Sequence, residues 1–149
     1  MKQNRVTRRD FLKRSTGLIG IVSIASTVGH IGCIPSTAPA MKAQLANATI
    51  IFNTAIPELA NIGNGVKLEN IELEYPILLI KNSDSSFLAL STECMHLGCQ
   101  VRMQHTVLRC PCHGSAYDLE GKVLNGPTER PLKSFHVRMN GTLAEIAVL

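Results

Sequence analysis

The sequence predicts an all-β protein, an antiparallel sandwich or small barrel, on three observations. Its apolar residues fall in short runs rich in Ile, Leu and Val. Turn residues separate those runs at the roughly 8–12-residue spacing typical of such folds. Helical periodicity is absent beyond a single turn. Aromatic residues make up only 4% of the chain and tryptophan is missing, so the core has to be aliphatic. A length of 149 residues suits one domain with a tail or leader.

Taken in order, the first strand candidates are residues 48–52, 66–73, 76–81 and 87–91. Gly63-Asn64-Gly65 and the polar run 82–86 supply breaks between them. Residues 56–62 are the one place where a helical turn is expected. Further strands are expected at residues 100–103, 107–109, 134–139 and 143–148. Asn140-Gly141 predicts a two-residue hairpin between the last two. The chain contains neither an internal repeat nor a low-complexity tract.

The net charge of +4 is a property of the N-terminus. Lys2, Arg5, Arg8, Arg9, Lys13 and Arg14 face only Asp10, which leaves the other 135 residues at a net −1. Nucleic-acid binding therefore has no electrostatic support, and none is expected. Thr7-Arg8-Arg9-Asp10-Phe11-Leu12-Lys13 matches the twin-arginine export signature, followed by a moderately apolar, uncharged segment at residues 15–34. That route carries proteins already folded, so such a leader implies a cofactor inserted before export. Twenty uncharged residues suffice to span a bilayer core of about 30 Å, so the segment can serve as a retained anchor. Cleavage near Ala38-Pro39-Ala40 and lipidation at Cys33 are the alternatives. Residues 35–48, rich in Ala, Pro, Ser and Thr, read as a flexible linker. The expected organisation is a leader, anchor and linker at residues 1–41 and one folded domain at 42–149.

Four of the five cysteines and two of the five histidines lie in two compact boxes, Cys94-Met95-His96-Leu97-Gly98-Cys99 and Cys110-Pro111-Cys112-His113-Gly114-Ser115. Thiolate beside imidazole, twice over and ten residues apart, is a metal-binding pattern. Tetrahedral zinc on Cys94, His96, Cys110 and His113 is one possibility, although it leaves Cys99 and Cys112 unexplained. Four buried structural cysteines with incidental histidines are the bland alternative. His105, at a hairpin tip, and His136, in a terminal strand, read as surface residues, and Met95 and Met103 as apolar filler.

The boxes resemble those of Rieske iron–sulfur proteins, specifically the disulfide-containing kind found in quinol-oxidising cytochrome complexes. The resemblance runs from about residue 49 to the C-terminus and is densest from Cys94 to Leu132. It implies a Rieske-type domain in which two loops form a cluster-binding subdomain around one [2Fe–2S] cluster. Cys94 and Cys110 would hold one iron, His96 and His113 the other, and Cys99 and Cys112 would be joined as a disulfide. Ser115 and Tyr117 stand where high-potential members place hydroxyls that hydrogen-bond cluster sulfurs. Leu97 resembles the apolar residue that shields the cluster, and residues 126–132 resemble the proline-containing loop that covers it. Here Thr128 and Glu129 replace the commoner small residue and proline, and the stretch from His96 to Cys110 is slightly short.

The functional expectation is one-electron transfer in a bc-type quinol–cytochrome c reductase. His96 and His113 would meet quinol, with a cytochrome b-type subunit and a c-type cytochrome as partners. The domain would lie on the periplasmic face, held to the membrane by the N-terminal segment. The alternative is the Rieske small subunit of a molybdenum oxidoreductase resembling arsenite oxidase, docked on a large molybdopterin subunit.

Overall fold

A computed structural model describes residues 35–148. The twin-arginine motif, the apolar segment 15–34 and Cys33 lie outside the described residues. Among the described residues, no helix is long and apolar enough to cross a membrane.

The chain forms twelve strands: β1 (Ala40–Lys42), β2 (Gln44–Ala46), β3 (Thr49–Asn53), β4 (Gly65–Glu69), β5 (Ile77–Lys81), β6 (Phe87–Ser91), β7 (Arg102–Gln104), β8 (Val107–Arg109), β9 (Ala116–Tyr117), β10 (Val123–Asn125), β11 (Ser134–Asn140) and β12 (Leu143–Ala147). One 3-10 turn, Pro57–Leu59, stands where the helical turn was expected. The all-β class therefore holds, and eight strands make one sheet in the order β1-β4-β5-β6-β11-β12-β3-β2. Neighbours in it are antiparallel except β1 and β4, which pair in parallel.

The two edges of that sheet, β1 and β2, are consecutive in sequence with only Ala43 between them. One N-terminal segment thus pairs with β4 through Ala40–Lys42 and with β3 through Gln44–Ala46. This nearly closes the sheet into a barrel and covers the outer sides of β4 and β3. The linker reading of residues 35–48 is corrected here. Small residues of this stretch, Ala38 and Ala43 (4% and 8% exposed), pack into the two cores, so composition mimicked a linker. Before β1, the Thr37 N–H donates to the Met103 carbonyl at 2.8 Å, and the Thr37 hydroxyl accepts from the His105 N–H at 3.1 Å.

β5 explains how one strand run serves two cores. Ile77, Leu78, Leu79 and Ile80 are all buried, the pattern of a strand covered on both faces. Alternation sends Ile77 and Leu79 into the barrel interior with Ile50, Leu68, Ala144 and Ile146. Leu78 and Ile80 face a second core with Leu108, Tyr117, Leu132 and the thiols of Cys94 and Cys110.

That second core lies under a four-stranded sheet, in the order β10-β9-β8-β7, which carries the two cysteine–histidine boxes on its loops. β9 and β10 were not among the strands expected from the sequence. The strand expected at 66–73 ends at Glu69, since Asn70 turns back to cap Glu72 and to bond the Ala43 carbonyl. The hairpin between β11 and β12 pairs Asn140 with Leu143, so its turn is Gly141-Thr142, one residue later than expected. Gly141 supplies the positive φ of +60° there, while Asn140 stays in the strand.

Candidate metal centre

The two boxes fold into loops with the same internal hydrogen bonds. In the first, the Cys94 N–H donates to the Cys99 carbonyl at 2.8 Å and the Gly98 N–H to the Cys94 carbonyl at 2.9 Å. In the second, the Cys110 N–H donates to the Ser115 carbonyl at 2.8 Å and the Gly114 N–H to the Cys110 carbonyl at 3.1 Å. Closing each loop needs a left-handed residue at its fifth position, and Gly98 (φ +76°) and Gly114 (φ +78°) provide it. The loops hang on neighbouring supports: a bridge between Glu93 and Gln100 closes the first, and β8 and β9 flank the second.

A disulfide joins Cys99 to Cys112 across the two loops, with the Cα atoms 6.5 Å apart. The Sγ atoms of Cys99, Cys110 and Cys112 all lie within 4.8 Å of one another. Because two of these sulfurs are bonded to each other, only Cys110 of the three remains available to a metal.

Cys94 and Cys110 are free thiols, 0% and 3% exposed. Burial pushes the Cys94 thiol up, but hydrogen bonds from the Tyr117 hydroxyl, the His96 backbone, Cys110 and Ser115 outweigh it and leave its pKa below the ordinary value. Burial also leads at Cys110, and there Cys94 adds to it, so the Cys110 pKa lies above the ordinary value. Cys94 thus gives up its proton more readily than Cys110. A soft cation that takes both sulfurs would bind them as thiolates and release their protons.

The histidines converge on their side of the site. His96 Nδ1 and His113 Nδ1 stand 3.2 Å apart, with the rings nearly perpendicular at 88°. Two imidazole nitrogens bound tetrahedrally to one metal at 2.0–2.1 Å would be about 3.4 Å apart. The observed pair therefore fits two ligands of one ion, provided each ring carries its proton on Nε2. His113 is exposed and His96 half-buried. Leu97 beside them is 69% exposed, an apolar tip at the loop apex.

Beneath the loops, Tyr117 is fully buried. Its hydroxyl lies 3.4 Å from Cys94 Sγ and accepts the Met95 N–H at 3.3 Å. Burial and the nearby Cys94 push its pKa up to about 12, so the group stays a neutral O–H donor. Ser115 is also fully buried, and its Oγ accepts the Thr128 N–H at 3.3 Å. Two contributors went unnoticed in the sequence. Tyr75 places its hydroxyl where a Cβ on Gly98 would lie 2.9 Å away, backing the first loop. Arg130 reaches from the third loop to the Met95 carbonyl at 3.1 Å. Tyr75 lies outside every motif, and Arg130 lies in the covering loop 126–132 with nothing local to mark its own role, because both act through contacts distant in sequence. His105 and His136 are exposed and away from the loops, as expected.

Residues 54–136 match the family described as Rieske [2Fe-2S] domain. Over 136 residues the chain is 30% identical to the cytochrome b6-f complex iron-sulfur subunit of Chlorobaculum tepidum, covering 89% of this chain and 70% of that one. The subunit of the same name from Chlorobaculum thiosulfatiphilum is 29% identical over 139 residues, covering 90% and 71%. Among solved structures, the apo form of the quaternary ammonium Rieske monooxygenase CntA superposes with a TM-score of 0.52. It is 19% identical and covers 61% of this chain and 30% of that one, a likeness of fold alone.

A β domain that presents two disulfide-stapled thiol–imidazole loops defines a metal-binding protein, and the chain belongs to the Rieske [2Fe–2S] family. Its cofactor is a Rieske [2Fe–2S] cluster and its activity is electron transfer. The zinc reading is set aside, because the family match and the disulfide together account for the cysteines that zinc left over.

Proposed function

We propose that this chain is the Rieske iron–sulfur subunit of a bc-type quinol-oxidising complex, passing single electrons from quinol to a c-type cytochrome. The observation that carries the reading is its similarity, across 89% of its length, to a subunit named for the cytochrome b6-f complex. In this reading Cys94 and Cys110 hold one iron, and His96 and His113 hold the other through Nδ1. The bound cluster supplies a one-electron couple whose potential is high because two neutral imidazoles replace two thiolates.

The chain's own residues do the rest. Tyr117 and Ser115 direct O–H donors toward the sulfurs and exclude water from them. His113, exposed at the loop tip, holds or gives up a proton at Nε2, where a quinol hydroxyl can meet it. Leu97 offers an apolar contact beside it. The N-terminal segment serves as a twin-arginine leader and membrane tether, which places the domain on the periplasmic face.

Isolating the complex from detergent-solubilised membranes through a tag on this chain tests the reading. Co-purification of haem b and a c-type haem is the expected result. A large molybdopterin subunit in their place would overturn it in favour of an internal relay in a molybdenum oxidoreductase. Titrating the cluster's potential from pH 6 to 10 should also show it falling with rising pH as Nε2 protons are released on oxidation. A flat profile across that range would argue against proton-coupled quinol chemistry.

A further inference from the structure

We propose that Arg130 is a positioning residue that fastens the third loop, residues 126–132, onto the first cluster loop and fixes the Cys94–His96 peptide segment. The inference rests on the ligand reading above. Met95 sits between Cys94 and His96, and its backbone N–H and carbonyl, one in each flanking peptide unit, are both pinned. Its N–H donates to the buried Tyr117 hydroxyl at 3.3 Å, and its carbonyl accepts Arg130 Nη2 at 3.1 Å. The first tie comes from β9 and the second from a loop 35 residues away.

Arg130 is held for this task by Thr128, itself 4% exposed. Thr128 Oγ1 accepts the Arg130 N–H at 3.3 Å, and the Thr128 N–H donates to Ser115 Oγ at 3.3 Å. With an acceptor site of Ser115 Oγ occupied by an N–H, the serine's own proton is left to point elsewhere. Threonine and arginine at these two positions therefore wire the third loop to both cluster loops at once. An alanine at 128 would keep the backbone tie to Ser115 but lose the hydroxyl that anchors Arg130.

The arginine also brings a permanent positive charge to within one residue of two ligands. A fixed cation favours the state with one more electron, so it raises the reduction potential. Arg130 is exposed, so salt screens this electrostatic contribution. The hydrogen-bonded tie to Met95 is far less sensitive to salt.

The test uses the full chain carrying its cluster, with Arg130→Met, Arg130→Lys and Thr128→Val compared against Arg138→Met on β11 as a control. Arg130→Met is expected to lose visible cluster absorbance to a chelator about five-fold faster, the factor of one hydrogen bond. Its amides at residues 95–98 should exchange faster by a similar factor, and its potential should fall most at low salt. Arg130→Lys should recover the salt-dependent part of the potential, and Thr128→Val should show a smaller acceleration in the same direction. Unchanged amide exchange and unchanged cluster loss in both Arg130→Met and Thr128→Val would overturn the proposal. A parent chain without a Rieske spectrum would instead refute the ligand reading, and amide exchange at 95–98 would still decide the tie.

Discussion

At the scale of single residues, two hydroxyls beneath the centre have no access to water. Tyr117 is fully buried with its Oη 3.4 Å from Cys94 Sγ, and Ser115 is fully buried beside the same thiol. An O–H pointed at sulfur stabilises the reduced, more negative state more than the oxidised one. Tyr117→Phe and Ser115→Ala should each lower the cluster's potential by roughly 40 mV, the one-electron equivalent of about 1 kcal/mol. Redox titration followed by visible circular dichroism measures this, and no shift in either variant would remove the role assigned to them. Gly98 makes a different demand. At φ +76° an alanine costs about 1–2 kcal/mol, and its Cβ would meet the Tyr75 hydroxyl at 2.9 Å. Gly98→Ala should therefore destabilise the domain by about 2–3 kcal/mol in chemical denaturation. Adding Tyr75→Phe should recover the steric part, and strictly additive effects of the two substitutions would exclude the contact.

Individual elements explain why two unlike sequence boxes make one site. Each loop closes with the same pair of backbone hydrogen bonds and a left-handed glycine at the same position. The histidine comes third in one loop and fourth in the other, and the disulfide cysteines are likewise offset. The loops are thus similar frames that carry their histidines and disulfide cysteines at different positions. The Cys99–Cys112 bond closes a segment of 13 residues' separation, which constrains the unfolded chain by about 3 kcal/mol. Replacing both cysteines by serine should lower unfolding stability by that order and speed cluster loss several-fold. Equilibrium unfolding and the decay of visible absorbance read the two effects separately. Retention equal to the parent's would show that the loops hold their geometry without the staple.

Across the whole molecule, β5 is the shared wall between the barrel interior and the core beneath the cluster loops. Leu79 faces the first and Leu78 the second, and both are buried. Leu79→Ala and Leu78→Ala should each cost about 2–5 kcal/mol in unfolding free energy. Only Leu78→Ala is expected to accelerate cluster loss under native conditions, because only its cavity opens beside Tyr117, Cys94 and Cys110. Equal acceleration by both variants would mean that the two cores respond as one. The barrel also depends on the segment from Ala40 to Ala46, whose pairing covers the outer sides of β4 and β3. The folded unit thus extends into a stretch that looked like a linker, and an intact domain for measurement needs those residues.

What the sequence determined by itself was the chemistry. Cys94, His96, Cys110 and His113 stood out as candidate ligands because metal ligation needs particular atoms at short spacing. Alternation and turn residues were also enough to place several strands, including residues 87–91 and 107–109, whose bounds coincide with β6 and β8. Only the tertiary structure decided the remainder. Closure of the barrel by Ala40–Ala46, the backing of Gly98 by Tyr75 and the reach of Arg130 to Met95 all join residues far apart in sequence. Such contacts leave no local periodicity, since their energy comes from a partner that the chain brings near only once it has folded.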